Sequence, residues 1–390
     1  MDNQAGGVTL GDETIAAQKP DSARRPLAGI KVVDFSTLLP GPMASLILAD
    51  AGAEVVKIES PEGGDGMRHF EPKLGGVSAN FVLLNRGKSS RSFDLKDRED
   101  HEAVMCLLAE ADVLIEGFRP GVMNRLGLSY DALRERNPGL IYCSITGYGQ
   151  VGARALMAGH DLNYMAEVGL LSLVADQDGT PSLPPTPLAD VGAGSLPAVL
   201  NILLALLARS RTGDGCHLDI AMTDNLYPFL YWAFGKSIAG EPAETNGELV
   251  TGASARYSIY RTSDDRYIAA APLEDRFWST FCSILGVDIN SDKRAIAEVI
   301  RSDTAQGWTK RFEGLDVCCT VVRTVDEALS DPAFTQRGLF SLRVQTESSE
   351  EAPALPLPVA QHFRDDAPLR TAPGLSNSRE RPIARADDQP

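Results

Sequence analysis

The chain has 390 residues, 43% hydrophobic and 23% charged, proportions of a soluble globular protein long enough for two domains or one large domain with a smaller insert. Its 53 acids against 37 lysines and arginines give a formal net charge of −16, which argues against nucleic acid or an anionic membrane surface as a partner; an anion would need a local basic pocket. The six cysteines include no CxxC and the five histidines show no ligand spacing, so no metal site is expected, and the thiols read as reduced in a cytoplasmic protein.

Residues 1–26 are polar and acidic, unlike a signal or transit peptide, and are expected to form a flexible extension. Ile30–Phe35 then reads as a β-branched strand, followed by a turn-forming stretch, a helix over Met43–Ala51 that starts after Pro42, and a strand at Glu54–Glu59. Ser89–Leu95 alternates as a strand, Asp97–Ala111 has the acidic first turn and apolar spacing of a helix, and Asp112–Glu116 is the next strand. A short helix around Tyr130–Arg136 precedes a strand at Leu140–Ile145. This alternation predicts a doubly wound α/β domain. The apolar run Leu196–Ala208 holds Pro197 and Asn201, is too short to span a bilayer, and is predicted to be a buried helix. Past residue 225 the texture changes. Arg256–Arg261 and Tyr267–Ala271 flank the turn Thr262–Asp265 as a hairpin, with helices at Glu274–Leu285, Lys293–Ser302 and Asp326–Leu329, which reads as a smaller α+β unit. Beyond about 370 the sequence turns polar and predicts an unpacked tail.

Gly147-Tyr148-Gly149-Gln150-Val151-Gly152 satisfies GxGxxG, but it follows the fifth strand, and no long helix opens after it. These glycines are expected to shape a loop where backbone closely approaches another group, without a nicotinamide cofactor. The next segments are more specific: Ala158-Gly159-His160-Asp161-Leu162-Asn163-Tyr164, and Pro187-Leu188-Ala189-Asp190-Val191-Gly192-Ala193-Gly194-Ser195. With PLAGIKVVDFS, LPGPMASLILADAGAEVVKIE, ADVLIEGFRPGVMNRLGL, ITGYGQ and APLEDRFW, they make the chain resemble the class III CoA-transferase superfamily (CaiB/BaiF type), in its α-methylacyl-CoA racemase branch, from about Pro26 to about Arg364.

The resemblance implies a Rossmann-like large domain and a smaller α+β domain in an interlocked homodimer. The expected division is the extension 1–26, a CoA-binding domain 27–225, a small domain 226–330, a return to the large domain at 331–370 and a tail at 371–390. It also implies that His160 and Asp190 are the acid/base pair and that Glu274 orients His160. Lys57, Arg119 and Arg125 would hold the CoA phosphates, Arg86 and Lys88 would add cations beside a glycine, and Tyr164 would line the coenzyme site. No cofactor is expected, since coenzyme A is part of the substrate. Taken singly, His160 also suits a structural histidine, Asp190 an N-cap near Gly192 and Glu274 a first-turn helix acid; within the motifs, the functional reading is stronger. Racemisation needs one base on each face of the α-carbon, and donors for the enolate oxygen are expected at the 192–194 helix start. The alternative is a CoA-transferase with Asp190 as nucleophile, which would not need His160 as a base. A CoA-binding protein without turnover would have no use for all three residues. The loop Val174–Pro187 is expected to shape acyl specificity.

Overall fold

Strands and helices alternate much as the apolar spacing predicts. The computed structural model describes residues 25–176, 178–364 and 369–376. It begins with β1 (Lys31–Asp34), α1 (Pro40–Asp50) and β2 (Glu54–Glu59). The pair β3 (Lys73–Leu74) and β4 (Val77–Ser78) leads into α2 (Ala79–Asn85), then β5 (Ser89–Ser92), α3 (Arg98–Ala109) and β6 (Val113–Glu116). After α4 (Val122–Arg125) and α5 (Tyr130–Arg134) come β7 (Ile141–Thr146) and α6 (Asp161–Glu167). A π-helical segment, Ala189–Ser195, runs directly into α7 (Leu196–Thr212), followed by β8 (Cys216–Ala221), α8 (Met222–Leu226) and α9 (Tyr231–Ile238). Helix α1 starts a turn earlier than expected from Met43, because Pro40 occupies a first-turn position where the missing N–H costs nothing.

Six strands form one parallel sheet in the order β5-β2-β1-β6-β7-β8. The chain winds from β1 to one edge, returns, and winds to the other, so the switch point lies between β1 and β6. Successive strand side chains point to opposite faces, and two cores result. Val32, Val113 and Ile115 pack with Leu46 and Ile47 of α1 and Ala198 and Ile202 of α7, while Val33 and Leu114 pack with Val104 and Leu108 of α3. The edge strand β8 is not evident in the sequence, because CHLDIA mixes exposed polar and half-buried positions.

A separate three-stranded sheet, β11-β10-β9, contains the predicted hairpin as β9 (Ser258–Arg261) and β10 (Tyr267–Ala270), with β11 (Cys319–Val321). Helices α10 (Asp275–Leu285), α11 (Lys293–Ile300) and α12 (Ala305–Phe312) cover it around Trp278, Phe281 and Trp308. After α13 (Val325–Leu329) and α14 (Pro332–Gln336), strands β12 (Arg343–Gln345), β13 (Glu351–Pro353) and β14 (Leu369–Thr371) form a third sheet. Val344 of β12, with Ala354 and Ala372 just beyond β13 and β14, packs on Val82 of α2.

Two expectations are corrected here. The tail expected from 371 is packed through 376: Ala372 is buried, Gly87 N–H donates to Thr371 O at 2.9 Å and Ser92 N–H to Ser376 O at 3.1 Å. The remainder of that tail, 377–390, and residues 1–24 of the extension lie outside the described residues. Helix α7 is not buried all round. Ala198, Val199, Ile202 and Ala205 face the core, while Leu196, Leu200, Leu203, Leu204 and Leu207 are exposed. With the π segment it spans 189–212, long and apolar enough to cross a membrane, although its inner face is packed in the core.

The first βα turn is held by buried charges. Asp34 accepts the Ser36 N–H at 2.9 Å and the hydroxyls of Ser36 and Ser45. Lys57 lies 2.9 Å from Asp65 and donates to the Ser36 carbonyl at 2.6 Å, and both side chains of the pair are fully buried. Asp65 accepts the N–H of Leu38 at 3.0 Å; Leu38 has φ +64°, a strained region for a residue with a Cβ. Lys88 donates to Pro42 O and Asn85 Oδ1, each at 2.8 Å, and sits 3.6 Å from Asp34. Burial raises the Asp34 pKa, but the two ammonium groups and two hydroxyls outweigh it and leave it below the usual value; burial lowers Lys88 to about 7. Lys57→Met strands Asp65 without its cation, so the urea midpoint should fall by the equivalent of about 3–5 kcal/mol. Lys31→Met, at the exposed Lys31–Glu110 pair, should leave that midpoint nearly unchanged.

Candidate active site

In doubly wound sheets, ligands bind beyond the carboxyl ends of the strands at the switch point. A cavity of about 450 Å³ lies there. Its walls come from the turn after β1 (Ser36, Thr37, Leu38), the turn after β6 (Gly117, Phe118, Arg119), the end of β7 and its loop (Thr146, Gly147, Tyr148), and the first turn of α1 (Pro40, Gly41). His160, Asn163, Tyr164 and Asp190 complete it. The strained Leu38 and its buried anchors therefore shape one wall.

His160 is the exposed N-cap of α6, and its own N–H donates to Asn163 Oδ1 at 3.0 Å, which fixes where the side chain departs from the backbone. Asp190 is half-buried in the π-helical segment, with its N–H bonded to Asp161 Oδ1 at 2.9 Å. Burial raises its pKa to about 6, repulsion from Asp161 adds to the rise, and His160 opposes it. The carboxyl can thus take either protonation state near neutrality. Tyr164 is buried against the loop: its hydroxyl donates to Gly159 O, and burial raises its pKa to about 12. The glycines of the GxGxxG stretch serve this packing, since a Cβ on Gly147 would lie 2.3 Å from the Tyr164 ring.

The expected cations separate. Arg119 lines the cavity and is exposed at its rim. Arg125, at the end of α4, is exposed and does not line it. Lys57 and Lys88 differ from the expectation that they hold phosphates, because both ammonium groups are buried among Asp34, Asp65 and main-chain carbonyls. Arg86 is likewise buried, paired with Asp50 at 2.8 Å and lining a different cavity. Glu274 is exposed as the N-cap of α10 and does not line the cavity with His160 in this chain. Gly192 and Gly194 lie inside the helical run and not at its start, and added Cβ atoms there would press on Phe229 and on Met222 and Pro40. The loop 174–187 does not line the cavity among the described residues, and Asn246 binds it through Ala175.

Two features escaped the sequence reading. Lys96 lines an adjoining cavity of about 400 Å³ that shares Thr37 and Phe118 with the first, and nothing local in the sequence marks this lysine. Glu116, at the end of β6, is buried and accepts the Phe118 N–H at 2.8 Å, so it holds the turn that carries Arg119; burial raises its pKa to about 7. A charged residue closing a four-residue apolar strand was the available signal.

The model of CoA-transferase family III matches residues 27–378. Among characterised relatives, the chain is 34% identical to the α-methylacyl-CoA racemase of Mus musculus, over 80% of this chain and 82% of the relative. It is 32% identical to the succinate–glutarate CoA-transferase of Agrobacterium fabrum (strain C58 / ATCC 33970), over 88% and 91%. The crystal structure of a CaiB/BaiF family protein from Brucella suis superposes with a TM-score of 0.78 at 31% identity, covering 91% of this chain and 97% of that one.

The raised Asp190 pKa has a consequence for stability that needs no substrate. Below about pH 4 the carboxyl is protonated in both folded and unfolded chains; between there and about 6 the unfolded chain ionises while the folded one keeps its proton. The folded protein therefore binds more protons in that window, and this group's contribution to stability falls as pH rises through it. Asp190→Asn, which cannot ionise, should gain stability relative to wild type between pH 4 and pH 7 in paired urea melts. A constant difference across that range would show that Asp190 is not held protonated.

Proposed function

The chain belongs to CoA-transferase family III, and on that premise we propose that it is an isomerase inverting the α-carbon of a 2-methylacyl-CoA thioester. The observation that carries this reading is that His160 and Asp190 line one cavity at the switch point, with Asp190 able to exist as acid or base near neutral pH. The α-proton of a thioester is weakly acidic, and its removal places charge on the thioester oxygen. One residue takes the proton from one face while the other delivers a proton to the opposite face, and the roles reverse with the other enantiomer. The Gly41 N–H, at the positive end of α1, supplies a donor to the enolate oxygen. Arg119 and Lys96, at the rims of adjoining cavities, are the cations placed to meet the coenzyme's phosphates, and no metal or redox cofactor is required.

The homologous CoA-transferases make Asp190 as nucleophile the reading to be tested against. Asp190→Asn and His160→Gln should each abolish racemisation, with at least a hundredfold loss on the order expected for a missing acid or base. Each should retain deuterium exchange from one enantiomer in heavy water, and the preferred enantiomer should differ between the two variants. A wild-type acyl-enzyme trapped by hydroxylamine, with CoA transfer indifferent to His160→Gln, would replace the racemase with a transferase.

We also propose that the working unit is an interlocked homodimer in which Glu274 of one chain reaches His160 of the other. Support comes from the exposed outer leucines of α7 and from the exposed Tyr227, Phe229, Tyr231, Trp232 and Phe234, since large apolar side chains left open together mark interaction surfaces. The exposed position of Glu274, away from its own chain's cavity, fits the same arrangement. Co-refolding His160→Ala with Glu274→Ala chains should restore part of the activity, since hybrid dimers regain one intact site. A fully active monomer in light scattering would refute it.

A further inference from the structure

Far from the candidate active site, arginines surround a second cavity. Arg86, just after α2, is 1% exposed; it pairs with Asp50 at 2.8 Å and donates to Leu83 O at 3.2 Å, while its buried Nε has no hydrogen-bond partner. It lines a cavity of about 310 Å³ with Arg337, Arg364 and Arg370. Among the described residues, Arg364 donates to main-chain carbonyls, Val359 O at 2.6 Å and Leu357 O at 2.7 Å. Arg337 is exposed at the rim and forms no ion pair among the described residues. Asp50 is the one carboxylate among the described lining residues. Leu339, Leu342, Leu355 and Leu357 supply apolar wall.

Clustered guanidinium groups repel one another, and burying an N–H without an acceptor is costly. Burial lowers the Arg86 pKa, and the charges of Arg370 and Arg364 lower it further against the pull of Asp50. A tetrahedral oxyanion offsets the repulsion among the guanidinium groups, because planar guanidinium forks bind phosphate oxygens in pairs. Asp50 ends α1, whereas Pro40 and Gly41 at its start line the candidate active site. At 1.5 Å per residue the two cavities lie about 15 Å apart along that helix.

We propose that this cavity is a second binding site, for a small phosphate ester whose phosphate meets Arg337 and Arg364 beside the buried Arg86 and whose organic part packs on the leucines. The volume exceeds what a lone phosphate fills, which is why an ester rather than the free ion is assigned.

The test uses the full chain with inorganic phosphate and phenyl phosphate as probes, titrated calorimetrically at constant ionic strength. Wild type should bind phenyl phosphate saturably and more tightly than phosphate, and saturating coenzyme A should not displace it. Arg337→Ala, at an exposed position that folding does not depend on, should weaken binding by about tenfold or more, as loss of a charged hydrogen bond predicts. Arg337→Lys should recover part of that loss. No saturable binding, displacement by coenzyme A, or unchanged affinity in Arg337→Ala would each overturn the proposal, the second by placing the anion in the candidate active site.

Discussion

The geometry of the candidate site rests on charges that no solvent reaches. Asp34, Lys57, Asp65 and Lys88 come from four separate stretches of chain, and together they tie the end of β1 to β2, α2 and the loop before Met67. Their shared function is to hold residues 36–41 in one shape, with Leu38 in a left-handed conformation that it would not adopt alone. Gly41 belongs to the same constraint, since a Cβ there would lie 2.0 Å from Ser36 Oγ. Such a network is sensitive to losing one member and adds little beyond a well-packed apolar core. Its presence at this turn is understandable because the turn forms a wall of the cavity.

The other walls follow from topology. A parallel sheet whose winding reverses between β1 and β6 leaves a crevice where their following turns diverge, and Ser36 and Arg119 from those two turns line the cavity there. The two titratable groups arrive from later in the chain, His160 at the start of α6 and Asp190 in the π segment before α7. A π-helical turn widens the helix locally and is common where a helix serves a site. Here it carries the half-buried Asp190 at the cavity wall, next to Asp161, and this setting raises its pKa.

Much of the large sheet was legible in the sequence because parallel strands buried on both faces read as short, largely apolar runs, as Val113–Glu116 and Ile141–Thr146 do. His160 and Asp190 were legible through their motifs, and the structure brings them to one cavity. The fates of the cations were not legible. Lys57 and Lys88 stand in strand-like or glycine-adjacent contexts that suit a phosphate equally well, and only the position of Asp34 and Asp65 in space shows that they are consumed internally. Helix α7 misled for a similar reason: its leucines run all round, and an all-apolar helix reads as core whether its outer face meets the protein or another surface. Edge strand β8 and the third sheet depend on pairing partners distant in sequence, which short mixed segments do not announce.

The central claim is that one cavity presents two proton-transfer groups to opposite faces of an acyl-CoA α-carbon. The most direct measurement is incubation of the unmodified protein with each enantiomer of a 2-methylacyl-CoA in deuterated water, following deuterium content and configuration together. The account predicts that either enantiomer yields the same mixture of both, with deuterium entering at the α-carbon of the inverted product. Retention of configuration with no α-deuterium, alongside passage of CoA to an added carboxylate, would contradict it.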